Sequence, residues 1–194
     1  MREARAGREQ PVSEGHDGMT LDDITFQTMD GGTTSLAAYR GQVKLIVNVA
    51  SRCGLTPQYE QLEQLQRTYA DRGFTVLGFP SNQFLQELSS NEAIQEYCTT
   101  TWGVTFPIFD QVRVNGRSEH PIYTELKKAP DGSGRAGRVT WNFEKFLVAP
   151  DGTVTRFRPN VVPDDPAVIA AIEAALPDAA GSASSASEPE RAAS

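Results

Sequence analysis

Val43-Lys44-Leu45-Ile46-Val47-Asn48-Val49-Ala50 runs directly into Ser51-Arg52-Cys53-Gly54-Leu55-Thr56-Pro57. The first eight residues are apolar at nearly every position, the pattern of a strand buried on both faces and so central in its sheet. From Pro57 to Arg72, Tyr59, Leu62, Leu65 and Tyr69 recur at helical spacing. Thr56 is placed to cap that helix, Pro57 to open it and Gly73 to stop it. A second buried strand, Phe74–Phe79, follows and closes at Pro80. Ser89 and Glu92 form a capping-box pattern for a second helix, with Ile94, Tyr97 and Cys98 on one face.

Upstream, Ile24–Gln27 and Ser35-Leu36 flank Asp30-Gly31-Gly32, which predicts a small hairpin. Downstream, Lys145–Ala149 and Thr153–Phe157 flank the Asp151-Gly152 turn, and a last helix starts near Asp165-Pro166, burying Ile169, Ile172 and Leu176. Strand, helix, strand, helix, then a hairpin and a helix make an α/β sandwich, a central sheet flanked by helices.

The chain has 194 residues, enough for one domain with a sizeable core. Its 39% hydrophobic and 22% charged residues are an ordinary soluble composition. No apolar run approaches the roughly 20 residues of a membrane span. The net charge of −7 argues against a phosphate-backbone partner, so neither nucleic acid nor a stable membrane association is expected. Residues 1–18 are charged and lack an apolar signal core; residues 177–194 are small, polar and without periodicity. Both read as disordered tails around a domain at 19–176. Without an export signal the expected location is the cytoplasm, where a structural disulfide would be reduced. Two histidines and two distant cysteines lack metal-ligand spacing, and there is no glycine-rich nucleotide loop, so no metal and no cofactor are expected. His16 falls in the tail and His120, before Pro121, reads as structural.

Cys53 lies between the central strand and the first helix. A thiol there faces the positive end of the helix dipole and neighbours Arg52, both of which favour the nucleophilic thiolate. Gly54 permits close approach of a substrate. The alternative is a small buried hydrophobe, as free cysteines often are. α/β sheets place their sites at the carboxyl ends of strands, which favours a functional thiol. Cys98 reads by spacing as a core thiol. Against that, Thr99-Thr100-Thr101 are poor helix formers, each roughly 0.5 kcal/mol worse than Ala, so this helix end unwinds cheaply.

In Asn48-Val49-Ala50-Ser51-Arg52-Cys53-Gly54-Leu55-Thr56 the chain resembles the glutathione peroxidase family, in its cysteine rather than selenocysteine form. Three further blocks agree in order: Gly78-Phe79-Pro80-Ser81-Asn82-Gln83-Phe84, Gly103-Val104-Thr105-Phe106-Pro107, and Trp141-Asn142-Phe143-Glu144-Lys145-Phe146-Leu147. The resemblance spans roughly residues 20–176 and implies a thioredoxin-like fold with a central mixed sheet and reduction of hydroperoxides by thiol chemistry. It places Cys53 at the peroxidatic position, Gln83, Trp141 and Asn142 at the other active-site positions, and Cys98 where thioredoxin-dependent members keep a resolving cysteine. Amide and indole N–H groups suit those roles, because they donate to a developing alkoxide without adding formal charge. Without the resemblance, Trp141 would read as a core aromatic and Asn142 as a turn residue.

The chain also departs from the family pattern. Ser81 stands where many relatives have Cys, and Leu85 and Leu88 stand where Gly and Pro are usual. The short segment from Lys127 to Thr140 resembles members without an oligomerisation loop, which implies a monomer with an open site for bulky organic or lipid hydroperoxides. No basic set matches a glutathione site. The implied function is a peroxidase recycled by a thioredoxin-type dithiol, or by glutathione. A redox-sensing interaction protein that relays oxidation to a partner would use the same residues.

Overall fold

The structure is a computed structural model that describes residues 20–177. The expected tails, 1–18 and, apart from Pro177, 177–194, lie outside the described residues. The chain forms β1 (Thr25–Gln27) and β2 (Thr33–Ser35), then β3 (Val43–Val49), α1 (Gln58–Tyr69), β4 (Phe74–Pro80) and α2 (Asn91–Trp102). A short α3 (Pro121–Leu126), the hairpin β5 (Lys145–Val148) and β6 (Val154–Phe157), and α4 (Pro166–Ala175) complete it. The main sheet has the order β4-β3-β5-β6, and β1 with β2 makes the separate hairpin expected around Gly31-Gly32.

β3 and β4 run parallel and are buried at all fourteen positions, as their uninterrupted apolar runs require. β5 pairs antiparallel with both β3 and β6, so the sheet is mixed. Alternating side chains of β3 feed two cores. Leu45, Val47 and Val49 pack with Tyr59, Leu62 and Leu65 of α1, Ile94 and Cys98 of α2, and Val168 and Ile172 of α4. Ile46 packs on the opposite face with Leu77, Phe79 and Phe146, and with Ile122, Tyr123 and Leu126 of α3. Helices therefore cover both faces, the expected α/β architecture.

Three local expectations shift. Thr56 does not cap α1: the helix begins at Gln58 behind Pro57, and Thr56 Oγ1 turns back to the loop before it. The cap of α2 is Ser90, whose Oγ accepts the Ala93 N–H at 3.2 Å, so Ser89 with Glu92 forms no capping box. α4 starts as expected behind Asp165, which accepts the Ala167 N–H, but it buries Val168 and Ile172, with Ile169 and Leu176 half-buried. His120 caps α3 through Nδ1, which accepts the Ile122 N–H.

One charged network lies inside the fold. Glu144, fully buried, accepts from Arg156 Nε at 2.6 Å and from Arg158 Nη1 at 2.8 Å, and its other oxygen accepts the Thr140 N–H at 2.9 Å. Arg156 Nη2 also donates to the carbonyls of Gly137 and Arg138. Every member has partners, the condition under which buried charge is tolerated. Removing one partner strands the other charge. Arg156→Ala should therefore lower stability by about 3–5 kcal/mol, read from urea midpoints. A loss below about 1 kcal/mol, as for an exposed pair, would contradict the network's buried character.

Candidate active site

The chain leaves β3 at Val49 and must turn into α1 within eight residues. Thr56 holds that turn closed: its Oγ1 accepts the Cys53 N–H at 3.0 Å and donates to the Ala50 carbonyl at 3.0 Å, while its own N–H reaches the Cys53 carbonyl. The backbone already coils from Leu55 onward, through Gln58 N–H to Leu55 O and Tyr59 N–H to Thr56 O. Cys53 is thus set at the N-terminal end of the spiral, where unpaired N–H groups point outward. The Leu55 N–H donates to Cys53 Sγ at 3.4 Å, and the thiol is free and 7% exposed.

A second loop, 81–88, closes on the first. Arg52 N–H donates to Gln86 O at 2.8 Å, and Ser51 N–H to Glu87 Oε1 at 3.0 Å. Glu87 is buried, and burial pushes its carboxyl pKa up. Gln83 spends its amide on a third segment: Oε1 accepts the Val114 and Asn115 N–H groups and Nε2 donates to Asn115 O, all at 2.9 Å. Asn115 in turn clamps Val139 through both atoms of its own amide. One Nε2 proton of Gln83 remains for the site.

The third wall is 141–144. Asn48, fully buried near the end of β3, donates from Nδ2 to Trp141 O at 3.0 Å and accepts the Glu144 N–H on Oδ1 at 3.0 Å. Its main-chain carbonyl takes the Phe143 N–H, and Phe143 is held at φ 64°. Asn142 is fully buried; its Nδ2 donates to Gln86 Oε1 at 2.9 Å while its Oδ1 has no partner. Trp141 is 39% exposed and leans on Phe84, ring centroids 5.1 Å apart. It is not a core aromatic, and Asn142 is no exposed turn residue. Tertiary hydrogen bonding thus draws the loops carrying Cys53, Gln83, Trp141 and Asn142 to one end of the sheet. Among the described residues no side-chain amide is hydrogen-bonded to Cys53 Sγ, whose one donor is the Leu55 N–H.

Cys98 is fully buried in the core that also contains Cys53, and both are free thiols. Burial pushes the Cys98 thiol up to about 11; the Tyr59 hydroxyl opposes this and the Glu87 charge adds to it. Residues without a sequence-based role here are Asn48, Gln86, Glu87 and Asn115. Asn48 left a readable signal, an amide inside an otherwise apolar strand. The other three lie in loops, where polar residues attract no notice.

Two predictions arise from this geometry. Leu85 adopts φ 59° at 87% exposure, left-handed backbone that glycine accepts without cost. Leu85→Gly should stabilise by about 0.5–1 kcal/mol, strain relief outweighing added chain entropy, whereas Leu85→Ala should gain nothing; thermal denaturation decides. Cys98 should stay protonated in the fold at pH 8, so iodoacetamide should label the native reduced protein only at Cys53, and both thiols in urea. Native labelling of Cys98 at pH 8 would contradict its burial.

The glutathione peroxidase family model matches residues 21–127, more than half of the chain. Thioredoxin/glutathione peroxidase BtuE of Escherichia coli (strain K12) is 52% identical over 169 residues, covering 76% of this chain and 92% of that one. The crystal structure of Trgpx in apo form is 36% identical with a TM-score of 0.62, covering 82% of this chain and 100% of that one. A thiol:disulfide interchange protein of the thioredoxin family from Chlorobium tepidum TLS, at 23% identity and a TM-score of 0.56, covering 83% of this chain and 99% of that one, shares the fold alone, which is thioredoxin-like. With Cys53 in the loop after the central strand, the chain belongs to the glutathione peroxidase family and is a peroxidase enzyme.

Proposed function

We propose that Cys53 is the peroxidatic residue, that Gln83, Trp141 and Asn142 serve the developing alkoxide, and that Cys98 resolves the intermediate. The observation that carries this reading is the Leu55 N–H aimed at Cys53 Sγ, in a loop bonded to the segment 86–87 that also holds Asn142. The Cys53 thiolate attacks the terminal oxygen of a hydroperoxide; the O–O bond breaks, sulfur is oxidised to sulfenic acid, and the leaving alkoxide takes a proton to give an alcohol, or water from hydrogen peroxide. Cys98 then displaces water from the sulfenic acid to form a Cys53–Cys98 disulfide. A dithiol reduces that disulfide, returning both thiols.

The disulfide needs Cα atoms about 4.4–6.8 Å apart, so Cys98 must leave its core position when α2 loosens. The three threonines following it support that step, although Thr99 and Thr100 bond back to the Gln95 and Glu96 carbonyls here. Thioredoxin is the favoured reductant, supported by Cys98, while the BtuE name gives thioredoxin and glutathione alike; the exposed Trp141 against half-buried Phe84 supports organic and lipid hydroperoxides alongside hydrogen peroxide. A cytoplasmic monomer, without nucleic-acid or membrane partners and without a metal or cofactor, completes the reading. No helix among the described residues is long and apolar enough to cross a membrane.

The deciding experiment is peroxide consumption by the purified chain, with thioredoxin and glutathione supplied separately. Cys53→Ser should abolish it. Cys98→Ser should still reduce one equivalent through Cys53 and then stop with thioredoxin, leaving a Cys53 sulfenic acid visible by mass spectrometry. Full thioredoxin-linked turnover by Cys98→Ser would return Cys98 to a packing role. No consumption by the parent, with a stable mixed disulfide to one protein client, would favour the relay reading.

A further inference from the structure

The amide of Asn142 has an aiming problem. Rotation about the last torsion of an Asn side chain is broad and roughly two-fold, so the amide points only where a partner holds it. Asn142 is fully buried, its Oδ1 has no partner, and its one hydrogen bond among the described residues is from Nδ2 to Gln86 Oε1. That bond takes one of two protons and leaves the other free to donate. The main-chain carbonyl of the same Gln86 accepts the N–H of Arg52, the residue before Cys53. Glu87 repeats the link one residue on, its Oε1 shared by the Ser51 and Leu88 N–H groups. The two loops are therefore tied by consecutive residues, and the donor hangs from the first of them.

We infer that Gln86 is a positioning residue for the peroxidatic step, aiming the free N–H of Asn142 through its side chain while its backbone fixes the loop of Cys53. Donor and thiol then keep their separation as the loops fluctuate. The inference rests on Cys53 and Asn142 acting as proposed above. Gln86 is half-buried and among the described residues makes no hydrogen bond to Cys53 Sγ, so its effect passes through Asn142.

The test is a double-mutant cycle on the full chain, reading the single-turnover rate of Cys53 oxidation by hydrogen peroxide. Gln86→Ala should slow oxidation by about 10-fold to 10²-fold, the scale of a misplaced catalytic group. Gln86→Glu, which keeps an acceptor oxygen, should recover most of the rate. The double variant Gln86→Ala with Asn142→Ala should be no slower than Asn142→Ala alone, because a residue acting through another adds nothing once that one is gone. Should Gln86→Ala fold poorly, Gln86→Met keeps the volume without the oxygen and is read the same way. A parental rate for the folded Gln86 variant, or multiplying effects in the double variant, would overturn the inference while leaving the peroxidase reading intact. A parent that consumes no peroxide would overturn both.

Discussion

Asn48 is the residue on which the active-site geometry depends. It sits one position from the end of the central strand, where the ladder with β5 has stopped at the Val47–Lys145 pair. Its amide and carbonyl replace the missing ladder, holding Trp141, Phe143 and Glu144 by three hydrogen bonds. A buried amide left unpaired costs about 1–3 kcal/mol, so the segment 141–144 pays a penalty for leaving. Phe143 stays in a left-handed conformation because this grip over-determines it.

The same segment is braced from the far side by Glu144 and its two arginines, which also gather the carbonyls of Gly137 and Arg138. Between the two braces, Trp141 and Asn142 have little freedom to drift. The loop 81–88 contributes the third restraint through Gln86 and Glu87, and Gln83 a fourth through Asn115. An acid–base or nucleophilic site works only if its groups are held before the substrate arrives. Here the holding is done largely by amides and main-chain groups, with the buried carboxylates of Glu144 and Glu87 as anchors.

The two thiols sit differently in one core. Cys53 is at the core's edge with a main-chain donor on its sulfur; Cys98 is inside it, its ionisation suppressed by burial.

Much was legible in the chain alone. Unbroken apolar runs dictated the central pair β3 and β4, helical spacing gave α1, and Asp151-Gly152 and Gly31-Gly32 marked both hairpins, because these patterns depend on neighbours in sequence. The place of Cys53 after a buried strand followed from the same local logic. What only the tertiary structure decided was which loop polar groups meet. Thr56 reads as a cap but closes the Cys53 turn; Trp141 reads as core but lies exposed; Gln86 reads as an ordinary loop residue but holds Asn142, 56 residues away. Local pattern records periodicity and burial, whereas a hydrogen bond between distant loops depends on angles and distances that exist only once the sheet has brought its strand ends together.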